Sequence, residues 1–111
     1  KRNKNLIVNG GGQTRDFVYV EDLVKIYIKA LNVIFSKKIN KVFNISSNQN
    51  ISIQNLAKKI IKNFNSKSKI IFKDYIKGDV LRSSGSNKKI LNYFKLRKNF
   101  FTKLDQGLKN I

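Results

Sequence analysis

Residues 9–31 read NGGGQTRDFVYVEDLVKIYIKAL, and the order of residue types in this stretch decides the fold. Gly10, Gly11 and Gly12 supply the permissive backbone of a tight turn. Before them, residues 5–9 (NLIVN) read as a short strand, and after them residues 16–20 (DFVYV) are apolar, aromatic and β-branched, so they read as a second. Strand, glycine turn and strand suggest a hairpin. Glu21 and Asp22 then open a helix, because acidic side chains in a first turn complement the positive end of the helix dipole. Leu23, Ile26, Tyr27, Ala30, Leu31 and Ile34 recur at three- and four-residue spacing, which predicts one apolar face through Phe35. Lys25, Lys29 and Asn32 occupy the other face.

Working outward, residues 41–46 (KVFNIS) read as a strand and residues 47–50 as a polar turn. Ser52 is placed to cap a helix whose stripe is Ile53, Leu56, Ala57, Ile60, Ile61 and Phe64. Residues 69–73 (KIIFK) form a further strand, and residues 74–85 look irregular, punctuated by Gly78 and Gly85. A short helix near residues 87–94 and a last one over residues 102–110, capped by Thr102, close the chain. The predicted order is β-β-α-β-α-β-α-α, an α/β or α+β arrangement without internal repeats.

Composition excludes several chemistries. The chain has 111 residues, which fits one small domain at most. It contains no Cys, so there is no disulfide framework and no thiolate metal site. It contains no His, which rules out a Ser-His-Asp triad and leaves a metal only carboxylates, so no metal site is expected. Nowhere do about 18 apolar residues run together, as a membrane span requires, and residues 1–10 are basic without the long apolar run of a signal peptide. The chain opens on Lys1 and has no Met, from which it is expected to be a piece of a longer product.

The formal charge is +18, with 20 Lys and only 4 Arg. Lys, Asn and Ile together supply 50 of the 111 residues, and all three share A/T-rich codons. Dedicated nucleic-acid readers lean on Arg for bidentate contacts, whereas the pairs Lys37-Lys38, Lys58-Lys59 and Lys88-Lys89 fall near helix ends or on solvated faces. The expectation is a solvated basic surface that binds polyanions nonspecifically at low salt.

The stretch from the glycine turn through Gln-Thr-Arg-Asp-Phe-Val-Tyr-Val-Glu-Asp into an amphipathic helix resembles the extended short-chain dehydrogenase/reductase family, which includes NAD-dependent sugar-nucleotide epimerases and dehydratases such as UDP-glucose 4-epimerase. The resemblance continues in register. Residues 42–47 (VFNISS) resemble the family's late Rossmann strand, and residues 51–61 (ISIQNLAKKII) the helix after it. Residues 77–83 (KGDVLRS) resemble its Pro-Gly-Asp-Val-Arg-Arg-Ser segment, and residues 104–111 (LDQGLKNI) its closing helix. The implied fold is the C-terminal part of a Rossmann-type epimerase: a substrate-binding α+β subdomain with a late Rossmann strand and helix. Residues 1–111 would then form a single partial domain, with the N-terminal NAD-binding region absent.

The resemblance implies roles for particular residues. Arg15 matches the arginine that contacts the substrate's nucleotide diphosphate, a task suited to a guanidinium that grips oxygens two at a time. The alternative is a surface Arg paired with Asp16 or Asp22. Asp79 could accept from ribose hydroxyls, or be a turn Asp that bonds its own backbone. Arg82 matches a second family arginine whose role is more often structural. Asp22 reads as a cap or dipole partner, and Tyr19 and Tyr27 as core residues, because neither has Lys four residues on. Gly10–Gly12 lies between two strands and lacks the helix on which a pyrophosphate would dock. The chain also departs from the family. Ile76 stands where a second nucleotide-binding arginine is usual, Gly85-Ser86 replaces Ala-Asp, and no Pro precedes the last helix.

The implied function is the nucleotide-sugar-binding portion of an NAD-dependent epimerase or dehydratase acting on UDP- or dTDP-sugars. It would not be catalytic by itself, since the cofactor loop and the catalytic Tyr-x-x-x-Lys pair are not among these residues. The implied partners are the substrate, the N-terminal Rossmann part and, for the whole enzyme, a second subunit in a cytoplasmic homodimer. Two other readings stay open. One is a basic module that binds nucleic acid, with Tyr93, Phe94, Phe100 and Phe101 among its cations. The other is a non-functional remnant of a truncated gene.

Overall fold

The computed structural model describes residues 4–36 and 40–111, so the Lys37-Lys38 pair lies outside the described residues. The elements are β1 (Leu6–Asn9), β2 (Thr14–Asp16), α1 (Val20–Ser36), β3 (Asn50–Ser52), α2 (Ile53–Asn63), β4 (Ile70–Lys73), α3 (Lys88–Tyr93) and α4 (Leu104–Lys109). Strands and helices alternate as expected for an α/β chain, but the pairing of the strands differs from the expected hairpin.

β1 pairs in parallel with β4, from Leu6 against Ile70 to Asn9 against Lys73. β2 pairs antiparallel with β3, Arg15 lying opposite Ile51. The glycine turn explains the change of partner. Gly10 and Gly11 sit at φ of 68° and 108°, a region open to glycine, and carry the chain out of β1 without folding it back on itself. The turn is tied to α2 instead: Ile53 N–H donates to the Gln13 carbonyl at 3.0 Å and Gln54 N–H to the Gly11 carbonyl at 2.8 Å. Ser52 caps α2 as its sequence position suggests, its hydroxyl accepting from Asn55 N–H at 3.2 Å.

Three boundaries are corrected. The strand expected over residues 16–20 lies earlier and ends at Asp16, because the next residues leave the sheet and Val20 already begins α1. Residues 41–46 form no strand, since no described strand lies beside them to share backbone hydrogen bonds. Their side chains still alternate: Phe43 and Ile45 pack on the core while Val42 and Asn44 are exposed. Thr102 does not cap the last helix. Lys103 holds that position without a side-chain bond, and the Thr102 hydroxyl is drawn to Asp22.

The core is small. Ile26, Ile90 and Phe101 are buried together, with Val18, Phe94 and Leu96 among the residues packed around them. Tyr19 is half-buried with its ring against Gly107, whereas Tyr27 is 56% exposed and is not the core residue its spacing implied. In α1 only Asp22 and Ile26 are buried, and Val24, Ile28 and Leu31 face outward. The radius of gyration is 17.2 Å, against about 13 Å for a compact chain of this length. Of the apolar face that the periodicity predicted for α1, Ile26 is buried and Leu23 and Ala30 are partly buried, while Tyr27, Leu31 and Ile34 are exposed.

Two carboxylates hold the segments in place. Asp22 is 1% exposed and accepts from Thr102 N–H at 2.6 Å and from the Thr102 hydroxyl at 3.1 Å, joining the first turn of α1 to the entry of α4. This is a tertiary tie, not the local cap expected of it. Asp16 accepts from the hydroxyls of Ser46 and Ser47, from Ser47 N–H at 3.0 Å and from Asn48 N–H at 3.1 Å. Burial opposes its ionisation, and these hydrogen bonds outweigh burial and hold its carboxyl below the ordinary Asp value.

Replacing Asp22 with Ala removes the acceptor of the Thr102 N–H and hydroxyl, and is expected to cost about 2–3 kcal/mol in chemical denaturation. For Asp16 the folded carboxyl titrates lower than the unfolded one. Its stabilisation is therefore present above the unfolded value and lost as pH falls through the folded one. Asp16→Asn should lower stability at neutral pH and flatten the loss of stability below about pH 4. Parallel acid-unfolding curves for the two proteins would contradict this.

Candidate functional site

The site grows out of the glycine turn. Gln13 is buried where the chain leaves that turn, and every polar atom of its amide is engaged. Its Oε1 accepts from Gly11 N–H at 2.6 Å, and its Nε2 donates to the Asn9 carbonyl at 2.8 Å and to Asp79 Oδ2 at 3.2 Å. Tyr75 closes over the other side. Its ring lies where a Cβ on Gly10 would come within 2.3 Å, and its hydroxyl accepts from Gly12 N–H at 3.1 Å. The sequence marked the glycines as a turn and placed Gln13 at the start of the Gln-Thr-Arg-Asp motif without assigning it a contact, and a Tyr in an irregular loop carries no pattern.

Two residues on, β2 presents Arg15. Its pairing with Ile51 fixes the backbone, and the side chain reaches toward the loop that follows β4. Nη2 donates to Asp79 Oδ1 at 2.6 Å, and Nη1 donates to the Val80 carbonyl at 2.6 Å and to the Thr14 carbonyl at 2.9 Å. The pair is a little over a quarter exposed on each side, at 28% for Arg15 and 26% for Asp79. Arg15 thus has a carboxylate partner, but it is neither Asp16 nor Asp22. Those two are turned to residues 46–48 and to Thr102.

Asp79 also keeps a turn contact of its own, its N–H donating to the Ile76 carbonyl at 3.1 Å. Arg82 is placed differently. Its backbone bridges Thr14 in parallel, flanked by bonds from Thr14 N–H to the Leu81 carbonyl and from Ser83 N–H to the Thr14 carbonyl. Its side chain is exposed and makes no ion pair or hydrogen bond among the described residues. The structure therefore brings Arg15 and Asp79 together and leaves the Arg82 side chain apart, with its backbone joining the 79–83 loop to β2.

Beside the Arg15–Asp79 pair opens a cleft of about 400 Å³. Leu6 and Val8 of β1, Leu56 and Ile60 of α2, and Ile76 give it an apolar wall, with Arg15 and Asp79 at the polar end. A guanidinium at the end of an apolar slot suits a ligand with a flat apolar part joined to an anionic one. Ile76 lines the slot beside Asp79 and adds to its apolar wall.

The same geometry tests the residues against a dinucleotide cofactor. Gly10–Gly12 leads into strand β2 and not into a helix, the Tyr75 ring covers Gly10, and the Gly12 N–H is taken by the Tyr75 hydroxyl. A pyrophosphate cradle needs free backbone N–H groups at a helix N-terminus. This turn does not fit NAD, and among the described residues there is no cluster of acids able to hold a metal.

Residues 1–46 match the model of the NAD dependent epimerase/dehydratase family. No curated protein matches the sequence. Among solved structures, UDP-glucose 4-epimerase from Thermotoga maritima, solved with UDP-glucose, superposes at a TM-score of 0.81 with 27% identity, over 95% of this chain and 32% of that one. The UDP-N-acetylglucosamine 4-epimerase of Methanobrevibacter ruminantium gives 0.78 at 22% identity, over 95% of this chain and 32% of that one. A mutant UDP-glucuronic acid 4-epimerase from Bacillus cereus, solved with a fluorinated UDP-sugar and NAD, gives 0.77 at 24% identity, over 95% and 33%. The last two show the fold alone. The chain spans about a third of the length of each structure it matches. The resemblance read from the sequence is borne out: over residues 1–46 the chain matches the NAD dependent epimerase/dehydratase family, and over nearly its whole length it has the fold of the matching third of the Thermotoga maritima UDP-glucose 4-epimerase.

Proposed function

We propose that this chain is the nucleotide-sugar-binding portion of an NAD-dependent epimerase or dehydratase that acts on UDP- or dTDP-sugars. The observation that carries the reading is Arg15 at the polar end of an apolar cleft, within the segment that matches the family. The wall formed by Leu6, Val8, Leu56 and Ile60 takes the flat base, and the guanidinium takes oxygens of the diphosphate. Asp79 and the exposed Arg82 lie on the loop that would close over the nucleotide.

The chemistry on the sugar is not performed by these residues. The glycine turn does not fit the cofactor, and among the described residues neither half-buried Tyr19 nor exposed Tyr27 shares a hydrogen bond with a lysine. In this reading the cofactor, the acid–base residues and any second subunit are supplied by the rest of the enzyme, and the contribution of this chain is to bind and orient.

The test is a titration of the isotope-labelled chain with UDP-glucose, read at the Arg15 guanidinium and at β1. The expected result is a set of shifts confined to the cleft, with affinity lowered about tenfold by Arg15→Met, the cost of one charge-assisted contact. Shifts spread over the lysine-rich surface, and equal in the variant, would overturn the reading.

A further inference from the structure

Helix α1 divides lengthwise into three stripes. At about 100° per residue, Asp22, Leu23, Ile26, Ala30 and Val33 share the side that meets the core, and all five are buried or partly buried. Glu21, Lys25, Lys29, Asn32 and Ser36 form a solvated polar stripe. The third stripe holds Val20, Val24, Tyr27, Ile28, Leu31, Ile34 and Phe35, apolar side chains between 48% and 86% exposed with no charged or amide residue among them. A helix that meets one partner needs one apolar side. This helix has two, and the described residues cover one of them. Charge sets α1 apart as well. Glu21 and Asp22 balance Lys25 and Lys29, two against two, so the helix has no formal net charge in a chain of +18. An apolar centre that contains an aromatic residue and no charge has the composition of a protein interface, not of a surface for polyanions.

We infer that the outer stripe is the interface of a symmetric dimer, in which α1 lies antiparallel against α1 of a second copy of this chain. Val20, Val24, Tyr27, Leu31 and Ile34 follow one another at steps of four, three, four and three residues, the seam along which two helices interdigitate. The seam matches itself in the antiparallel sense. About a two-fold axis at Tyr27, the small Val20 and Val24 face the larger Ile34 and Leu31 of the other copy, and every contact occurs twice. A parallel pair would set small against small and large against large. Antiparallel helices also place each positive N-terminus beside the negative C-terminus of the other. The exposed side chains offer roughly 700 Å² per copy, so a pair that covers most of them buries about 1,200 Å², the lower edge of stable specific interfaces. Against the repulsion of two +18 chains, such an area gives a Kd of about 10–100 µM at moderate salt. The inference stands apart from the reading of Arg15, since no residue of that cleft lies on α1.

The experiment is sedimentation equilibrium of the full chain at about 0.1 mM in about 0.3 M salt, where repulsion between the cations is screened over a short distance. The chain is expected to dimerise. Leu31→Lys should weaken the dimer at least about tenfold by placing a cation in the seam, whereas Val42→Lys, at an exposed apolar residue outside α1, should leave it unchanged. Both substitutions add one charge, so their difference reads the seam and not the net repulsion. The inner side of α1 is untouched, and retained amide signals of Asp22, Ile26 and Thr102 would show that Leu31→Lys folds. A second measurement reads the geometry. The chain has no Cys, so a single introduced thiol forms a disulfide only with another copy. Under air oxidation Tyr27→Cys should cross-link to itself, and Val20→Cys should cross-link fast only when mixed with Ile34→Cys. A monomer at that concentration would overturn the inference. So would equal weakening by Val42→Lys and Leu31→Lys, larger aggregates without a dimer, or self-linking of Val20→Cys as fast as that of Tyr27→Cys.

Discussion

The Asp16 carboxylate is the point on which the arrangement turns. It ends β2 and gathers two hydroxyls and two backbone N–H groups from residues 46–48, a segment thirty residues away in the chain. That anchorage brings the end of α1's long excursion back beside β2, so β3 can pair with it. Asn48, held at φ of 58°, makes the turn into β3, and its side-chain amide passes the connection to Asn87 at 2.9 Å. Asn87 in turn donates to the Ser46 carbonyl at 3.0 Å, which seats the start of α3 on the same knot. Arg15, one residue before Asp16, inherits its position from this network.

Around that knot the elements are placed by polar ties more than by a continuous hydrophobic centre. Asp22 joins α1 to the α4 entry, Gln49 donates to the Thr102 carbonyl and accepts from Leu104 N–H, and Asn63 donates to the Leu108 carbonyl. Each tie links segments more than forty residues apart. No buried side-chain nitrogen or oxygen among the described residues is left without a partner. In a chain with so small a core, satisfied buried polar groups specify which loops meet, because every mismatch would leave a desolvated donor or acceptor.

Much of the fold was legible in the residues. Helices α1 and α2 followed from period, acidic first turn and the Ser52 cap, and β4 followed from a β-branched run between polar flanks. Strand partners were not legible, because pairing depends on contacts across 34 to 64 residues that no local window contains. The glycine turn shows the limit: its composition fits a hairpin, yet α2 takes up its carbonyls and draws the strands apart. At the site, Arg15 stood out through its motif and Asp79 through its Gly-Asp setting. The contacts of Gln13, which stands in the same motif, and of Tyr75 were not legible, since they come from burial and from a loop folding back over the turn. Residues 41–46 had the composition of a strand, but composition cannot supply the neighbour that a strand requires.

The outward apolar side of α1 has a consequence for how the chain behaves in solution. Val24, Tyr27, Ile28 and Leu31 expose a continuous greasy stripe on a molecule whose formal charge is +18. At low ionic strength, repulsion between such cations reaches across a long screening distance and keeps the stripes of different molecules apart. Adding salt shortens that distance to about 8 Å at physiological strength, while the attraction between apolar surfaces is unaffected or strengthened. The colloidal balance expected of this chain is thus inverted relative to proteins that salt keeps dispersed: dilute buffer should disperse it, and ordinary saline should draw its helices together.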